Sequence, residues 1–260
     1  MNCKRAVATS LLAVVWMASS VLAAPGTLSD NQVIASEKLG YNLQYRVYTP
    51  AGYDDAGDLP TIYVADGQWY IDGGELPQLL DRLIEDGAIG PTIAVFVDSR
   101  DPDELEVNRR NSEFFCNENY ARFYSEELIP AIDERYRTHA DRKSRVVLGM
   151  SFGGLNSACF GLQATDAFGG IAMQSPAMHP VPGLHDAYAE EAPLPLRIFL
   201  STGTRGDNEA STRRLRDILE QKGYEMRYRE VPQGHNWNNW RPLLDDVLTY
   251  FFTAVTDGQP

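Results

Sequence analysis

A serine framed by glycines is the sequence feature with the clearest chemistry. The stretch GMSFG at residues 149–153 has the pattern G-x-S-x-G; the apolar run RVVL precedes it, and a helical pattern begins near Leu155. Between a strand and a helix this pattern makes a sharp turn that exposes the serine hydroxyl, and only glycine fits two residues away. We therefore predict that Ser151 is a nucleophile and that the backbone N–H of Phe152 donates to an acyl oxyanion. A glycine-rich turn with an incidental serine is the alternative.

A nucleophilic serine needs a histidine base, because its hydroxyl is weakly nucleophilic near neutral pH. Where G-x-S-x-G is catalytic, the chain order is serine, acid, histidine. Among the four histidines, His235 follows the last strand pattern and precedes the last helix pattern, so it is the predicted base. His139 precedes the serine in a polar loop, which favours a surface role. His179 and His185 lie in a proline-rich stretch, where a loop or lid position is expected and a ligand contact is the alternative.

The acid that orients the base is expected in the loop GTRGDNE, which follows the strand pattern RIFLSTG. Asp207 is the predicted residue, because it lies closer to the strand end and has the shorter side chain. Glu209 is the alternative, since it also fits the first turn of the next helix, where a carboxylate complements the helix dipole.

The segment TIYVADGQWY supplies the second predicted oxyanion donor. It ends a strand pattern, and Gly67 permits close approach of the backbone. The N–H of Gln68 is the predicted donor. A plain Asp-Gly turn is the alternative for this segment.

Three tryptophans, Trp69, Trp237 and Trp240, lie in two loops that flank the predicted site. This clustering predicts a substrate with flat rings, aromatic or sugar, that stack on the indoles. Packing of the histidine loop is the alternative explanation.

The elements that must position these residues alternate along the chain. An N-terminal extended segment, NLQYRVYTP, points Leu43, Tyr45 and Val47 inward. Continuous apolar runs predict strands at 61–66, 92–98, 145–150, 169–174, 197–203 and 225–232. Helical patterns cover 75–86, 120–136, 155–163, 208–222 and 243–252. The alternation predicts an α/β fold with a mainly parallel central sheet and helices on both faces, and it places chemistry at the carboxyl ends of the strands.

The N-terminus predicts export. Lys4 and Arg5 precede an apolar run, and the end Val-Leu-Ala at 21–23 fits a signal-peptidase site. We expect a signal peptide at residues 1–23 and a single domain at 24–260, periplasmic or secreted, with no membrane anchor after cleavage. A retained anchor is the alternative, but the apolar run is short and broken by Ser and Thr.

Charge and cysteine content restrict the partners. Lys4 and Arg5 are the only charged residues of the predicted signal peptide, so its removal takes the formal net charge from −13 to −15. This charge disfavours nucleic acid, and we expect a small-molecule ester as the partner and no metal or cofactor.

Cys116 and Cys159 are either a disulfide or two buried thiols. Residues 178–191 are either a lid or another insertion.

From about residue 38 to 252 the chain resembles an esterase branch of the α/β-hydrolases. This branch includes enterochelin (enterobactin) esterases, the esterase D-related S-formylglutathione hydrolase, feruloyl and acetyl-xylan esterases, and mycolyltransferases. VADGQWY is similar to the D-G-Q-aromatic loop of enterochelin esterases. NRRNSEFF, YARFYSEELIPAIDERYRT, GMSFGGLNSACFGL and GHNWNNWRPLL resemble further family elements.

The resemblance implies an α/β-hydrolase fold, Ser151 as nucleophile, His235 as base and an acid in the loop GTRGDNE. That loop departs by about one residue from the family form, which leaves Asp207 and Glu209 both open. The implied function is an exported serine ester hydrolase similar to periplasmic siderophore esterases. One alternative with the same catalytic chemistry is a feruloyl or acetyl esterase that acts on polysaccharide. Another is an acyltransferase of the same family. A non-catalytic binding protein is the alternative of another class, and the intact Ser, acid and His argue against it.

Overall fold

The computed structural model describes residues 24–253. The predicted signal peptide lies outside the described residues, as do residues 254–260. No helix in the described range is long and apolar enough to cross a membrane.

A sheet of nine strands forms the centre of the described chain. The strands are β1 (Thr27–Leu28), β2 (Gln32–Ser36), β3 (Tyr41–Thr49), β4 (Thr61–Ala65), β5 (Ile93–Asp98), β6 (Arg145–Met150), β7 (Gly170–Gln174), β8 (Arg197–Gly203) and β9 (Glu225–Val231). Their spatial order is β1-β3-β5-β4-β6-β7-β8-β9, and β2 also pairs with β3. The pairings that involve β3 are antiparallel, whereas the six strands β5, β4, β6, β7, β8 and β9 are parallel to one another. The predicted mainly parallel sheet is confirmed.

Helices cover both faces of this sheet. They are α1 (Gly67–Asp72), α2 (Leu76–Glu85), α3 (Arg110–Phe114), α4 (Glu118–Phe123), α5 (Ile129–Arg135), α6 (Phe152–Gln163), α7 (Leu184–Glu190), α8 (Glu209–Gln221), α9 (Trp237–Trp240) and α10 (Leu244–Phe252). Alternate residues of a strand point to opposite faces. Val146 and Leu148 of β6 accordingly pack in one core with α2 and α10, whereas Val147 packs in a second core with α4 to α8.

The predicted elements are present with small shifts at their ends. Leu43, Tyr45 and Val47 of β3 are buried, as their alternation predicts. The predicted helix over 120–136 is α4 and α5, joined by one wide π turn. The short helices α1, α3, α7 and α9 were not predicted, because each is too brief to show a clear apolar period.

Two questions that the sequence left open concern the packing around α6. Cys116 and Cys159 are joined by a disulfide, which links the turn before α4 to α6. Residues 178–191 contain α7, whose Leu184 and Tyr188 are buried. The hydroxyl of Tyr188 donates to the carbonyl of Ala158, so this segment is packed against α6.

Candidate active site

The turn between β6 and α6 carries Ser151 at φ 56° and ψ −117°. Positive φ is strained for a residue with a side chain, and it is a feature of turns that present a nucleophile. A Cβ at Gly149 would lie 2.1 Å from the carbonyl oxygen of Gly153, so glycine is required there. The backbone therefore has the sharp geometry that the G-x-S-x-G pattern predicts.

Three predicted residues form a hydrogen-bonded chain at the carboxyl ends of β6, β8 and β9. Ser151 Oγ donates to His235 Nε2 over 2.8 Å, and His235 Nδ1 donates to Asp207 Oδ1 over 2.5 Å. The alternative acid, Glu209, lies in the first turn of α8 and pairs with Arg213 at 2.5 Å. The structure thus places Asp207, and not Glu209, against the histidine.

The carboxylate of Asp207 is fully buried and surrounded by donors. Its Oδ2 accepts from Ser175 Oγ and the N–H of Gly203, both at 2.5 Å, and from Asn239 Nδ2 at 2.8 Å. Burial alone raises the pKa of Asp207, but the hydrogen bonds, that from His235 first, outweigh burial and hold the pKa well below its usual range. Asp207 is therefore an anion when it faces the histidine.

Ser175 and Asn239 were not among the predicted site residues. Ser175 Oγ donates to Asp207 and accepts from Asn239 Nδ2 over 3.1 Å and from Trp240 Nε1 over 2.9 Å. The available signal was position: Ser175 follows the last residue of β7 directly, at the edge of the sheet where chemistry is expected.

The two predicted oxyanion donors lie in the first turns of two helices. Gln68 is the second residue of α1 and Phe152 the first residue of α6, where backbone N–H groups have no partner within the helix. Among the described residues neither N–H donates to any other group. A Cβ at Gly67 would lie 2.5 Å from the backbone of Phe96, so only glycine allows the first of these turns.

A buried ion pair lies beside both turns. Arg110 Nε donates to Asp66 at 2.8 Å, and the Asp66 carboxylate is fully buried. Burial raises the pKa of Asp66 to about 6, although the guanidinium of Arg110 acts in the opposite direction. Neither Asp66 nor Arg110 was among the predicted site residues, although both lie in motifs that carry the family resemblance.

The three tryptophans have different environments. Trp69 is 37% exposed, and the Arg110 guanidinium lies 5.3 Å from its ring. Trp237 is half-buried and packs edge-on against Tyr70 and Trp240. Trp240 is only 7% exposed and contacts the His235 ring edge-on at 4.9 Å. Little of the Trp240 ring is therefore available for a substrate to stack on, whereas more of the Trp69 ring is.

A cavity of about 300 Å³ opens beside the serine. Its lining includes Ser151, Phe152, His235 and the exposed His179, whose ring lies 5.6 Å from that of Phe152. His185, in contrast, is buried, and its Nε2 is bonded to the Ser211 carbonyl.

His139 lies at the opposite end of the sheet. Its backbone N–H donates to the carbonyl of Leu59, just before β4 begins. Of the three remaining histidines, only His179 therefore reaches the cavity.

Comparison with known proteins identifies the family of the chain. Residues 36–251 match the family model Esterase, described as "Putative esterase". The chain is 26% identical over 84% of its length to an iron(III) enterobactin esterase of Escherichia coli O6:H1, and 25% identical over 84% to an endo-1,4-beta-xylanase/feruloyl esterase of Xylanibacter ruminicola. It spans 56% of the first protein and 30% of the second. A solved ferulic acid esterase superimposes with a TM-score of 0.76 at 19% identity, covering 88% of this chain and 98% of that one.

Proposed function

The chain belongs to the Esterase family of α/β-hydrolases and is a carboxylic ester hydrolase, and from this premise we propose that it is a serine esterase acting through an acyl-enzyme on Ser151. The observation that carries the proposal is the unbroken chain of hydrogen bonds from Ser151 through His235 to the buried Asp207. A binding protein without catalysis has no need for a strained serine aligned with a base, so membership of the family and this geometry both argue against that alternative.

In the proposed first step, Ser151 Oγ attacks the ester carbonyl while its proton moves to His235 Nε2. The N–H on His235 Nδ1 stays bonded to Asp207, whose negative charge stabilises the imidazolium that forms. Because the donors around Asp207 keep it ionised, it orients and stabilises the histidine without taking its proton.

The negative charge that develops on the carbonyl oxygen is stabilised by the N–H groups of Gln68 and Phe152. Both groups are unpaired in the described residues and lie at helix N-termini, where the helix dipole favours an anion. His235 then gives its proton to the leaving alkoxide, and the C–O bond of the ester breaks to leave an acyl-Ser151. A water molecule, deprotonated by His235, then attacks the carbonyl carbon of the acyl-enzyme. His235 returns the proton to Ser151 Oγ as the bond to the acyl group breaks, which releases the carboxylic acid.

For the substrate we propose an ester whose acyl group carries an aromatic ring, of the siderophore type. The exposed indole of Trp69 provides a stacking surface next to the turn that holds Gln68. The similarity to an iron(III) enterobactin esterase supports this class. A feruloyl ester on polysaccharide is the second candidate, supported by the similarity to a feruloyl esterase module.

We further propose export to the periplasm or the exterior. The N-terminal sequence pattern supports it, and so does the Cys116–Cys159 disulfide, because such bonds persist mainly in oxidising compartments.

The experiment that tests the reaction compares the wild type with Ser151→Ala. The wild type should hydrolyse p-nitrophenyl esters and bind a fluorophosphonate probe covalently. The variant should lose several orders of magnitude in kcat and should not bind the probe. Ser112→Ala is the control, because this exposed serine donates to a nearby carbonyl outside the site. Labelling of the Ser151→Ala protein at another serine would contradict the assignment.

The substrate class is tested with ferric enterobactin and feruloylated sugars. Preference for ferric enterobactin supports the siderophore proposal, and preference for feruloylated sugars supports the second candidate. Transfer of the acyl group to an added sugar in preference to water would instead identify an acyltransferase.

A further inference from the structure

The two turns that carry the proposed oxyanion donors leave the sheet side by side. Strands β4 and β6 are parallel neighbours, with Val64 opposite Leu148, and their ladder ends at that pair. Gln68 and Phe152 both lie four residues further along their chains. The distance between the two donors therefore depends on contacts made beyond the end of the ladder.

Arg110, which comes from neither turn, contacts both of them. Its Nε donates to the two carboxylate oxygens of Asp66, at 2.8 and 2.9 Å, and its Nη2 donates to the carbonyl of Met150 at 3.3 Å. Asp66 directly precedes the turn with Gln68, and Met150 directly precedes Ser151. One planar guanidinium thus connects the start of one turn to the start of the other.

The Asp66 carboxylate also packs against the second turn itself. A Cβ on Gly153 would lie 3.1 Å from Asp66 Oδ2, so this oxygen is in close contact with the beginning of α6. The backbone carbonyl of Asp66 accepts from the N–H of Trp69, which closes the first turn. One fully buried residue is therefore part of the first turn and a neighbour of the second.

Aromatic rings limit the movement of the guanidinium. It lies 5.0 Å from the ring centre of Phe152 and 5.3 Å from that of Trp69, and its side chain is 14% exposed. A charge held between two rings and a buried carboxylate has little freedom to reorient. Because the two rings belong to the two turns, this packing further connects them.

We propose that Arg110 and Asp66 are positioning residues that set the distance between the oxyanion donors Gln68 and Phe152. The proposal rests on the proposed function, since it concerns the hole in which the tetrahedral intermediate of that reaction is bound. Arg110 acts through the two turns and does not act on the ester.

A change in this distance weakens hydrogen bonds that form fully only in the transition state. It should therefore lower kcat and leave KM for a small ester nearly unchanged. Loss of one oxyanion donor costs about 10²- to 10³-fold in kcat in other enzymes, and a displaced donor should cost less, about 10- to 100-fold. Arg110→Lys keeps the charge but cannot reach both turns with a single planar group.

The test compares Arg110→Lys and Asp66→Asn with a control, Arg145→Lys. Arg145 pairs with Asp133 at 2.5 Å and its side chain is 7% exposed, so the control breaks a similar ion pair at the other end of β6. The measurements are kcat and KM on p-nitrophenyl acetate, the inhibition constant of an aryl trifluoromethyl ketone, and Tm. This ketone adds to the serine and places an oxyanion in the hole.

We expect kcat and affinity for the ketone to fall together, about 10- to 100-fold, in both Arg110→Lys and Asp66→Asn, with KM within about twofold of the wild type. The double variant should lose little more than either single variant, because one connection is broken in all three. Arg145→Lys should keep kcat even where its Tm falls as much.

Three results would overturn the positioning role. One is wild-type kcat and ketone affinity in Arg110→Lys and Asp66→Asn. Another is a rise in KM alone, which would make Arg110 a substrate contact. The third is an equal loss of kcat in the Arg145→Lys control, which would make the effect a general loss of stability. If Arg110→Lys does not fold, Asp66→Asn decides the matter.

Failure of the proposed function has a different signature. In that case the wild type itself neither hydrolyses the ester nor reacts with a fluorophosphonate, and the positioning role falls with it. Wild-type activity with unaffected variants overturns the positioning role alone.

Discussion

Replacing Asp207 by asparagine tests the hydrogen-bonded chain most directly, because the surroundings of this residue dictate how an amide would orient. The N–H of Gly203 and the amide of Asn239 both donate to the Oδ2 position. An asparagine must therefore turn its oxygen toward these donors and its NH₂ group toward His235. The histidine Nδ1 then has to accept a hydrogen bond and loses its proton.

This change of tautomer disables the base. With the proton on Nε2, His235 can no longer accept the proton of Ser151 Oγ, although the three residues keep their positions. In a serine protease the corresponding change lowers kcat by about 10⁴-fold. We expect a loss of about 10³- to 10⁴-fold for Asp207→Asn, which corresponds to about 4 to 5.5 kcal/mol of transition-state stabilisation.

The matched control is Glu209→Gln, two residues further along the chain, at the start of α8. Glu209 pairs with Arg213 across one turn of α8, and both side chains are partly exposed, at 29% and 43%. Exposed pairs of this kind contribute about 0.3 to 0.5 kcal/mol to stability. Steady-state hydrolysis of p-nitrophenyl acetate should therefore give Glu209→Gln a kcat within about twofold of the wild type.

The ¹⁵N spectrum of the imidazole provides a second measurement. It should show His235 protonated at Nδ1 in the wild type and at Nε2 in Asp207→Asn. A nearly normal Asp207→Asn together with a crippled Glu209→Gln would refute this reasoning and move the acid to Glu209. Nearly normal rates in both variants would indicate a Ser-His dyad.

Further predictions concern the tryptophans, the disulfide and a buried glutamate. Trp69→Ala should lower kcat/KM about 5- to 150-fold more for esters of aromatic acids than for acetate esters, since a stacking contact is worth about 1 to 3 kcal/mol. Trp240→Phe removes the indole N–H that donates to Ser175, which in turn donates to Asp207, and it should lower kcat equally for all esters. An equal loss on all esters in Trp69→Ala, or a loss confined to esters of aromatic acids in Trp240→Phe, would contradict these roles. Urea denaturation should show a loss of about 4 kcal/mol for Cys116→Ser/Cys159→Ser, because the bond closes a loop of 43 residues, and unchanged stability would contradict this. Burial raises the pKa of Glu113 to about 8, so between about pH 4.3 and pH 8 the folded protein keeps a proton that the unfolded chain loses. The contribution of Glu113 to the free energy of unfolding therefore falls as the pH rises through this range. Glu113→Gln should remove that decline in Tm between pH 5 and 9; a parallel decline in both proteins would argue against it.

Local patterns in the sequence were sufficient to predict the sheet and the sharp turn at Ser151. Strands buried on both faces are continuous apolar runs, and the turn at Ser151 requires glycine for steric reasons that involve only its immediate neighbours. The chain order of serine, acid and histidine then pointed to His235, because the carboxyl ends of parallel strands meet at one edge of a sheet. These inferences need no knowledge of distant contacts.

The choice between Asp207 and Glu209 needed the tertiary structure. Only one position separates the two residues in the chain, and the donors Ser175, Gly203 and Asn239 select between them. The burial of Trp240 has a similar origin, because its indole N–H is bonded to Ser175, 65 residues away.

The contact of Arg110 with Asp66 joins residues 44 positions apart, and the disulfide joins residues 43 positions apart. Neither pairing leaves a periodic signal in the chain, since each partner is chosen by the packing of separate elements around α6. The sequence by itself therefore determined the fold and the sharp turn that carries Ser151. Only the folded structure decided which polar groups orient the acid and which connect the two turns, because those interactions depend on distances between segments that are remote in sequence.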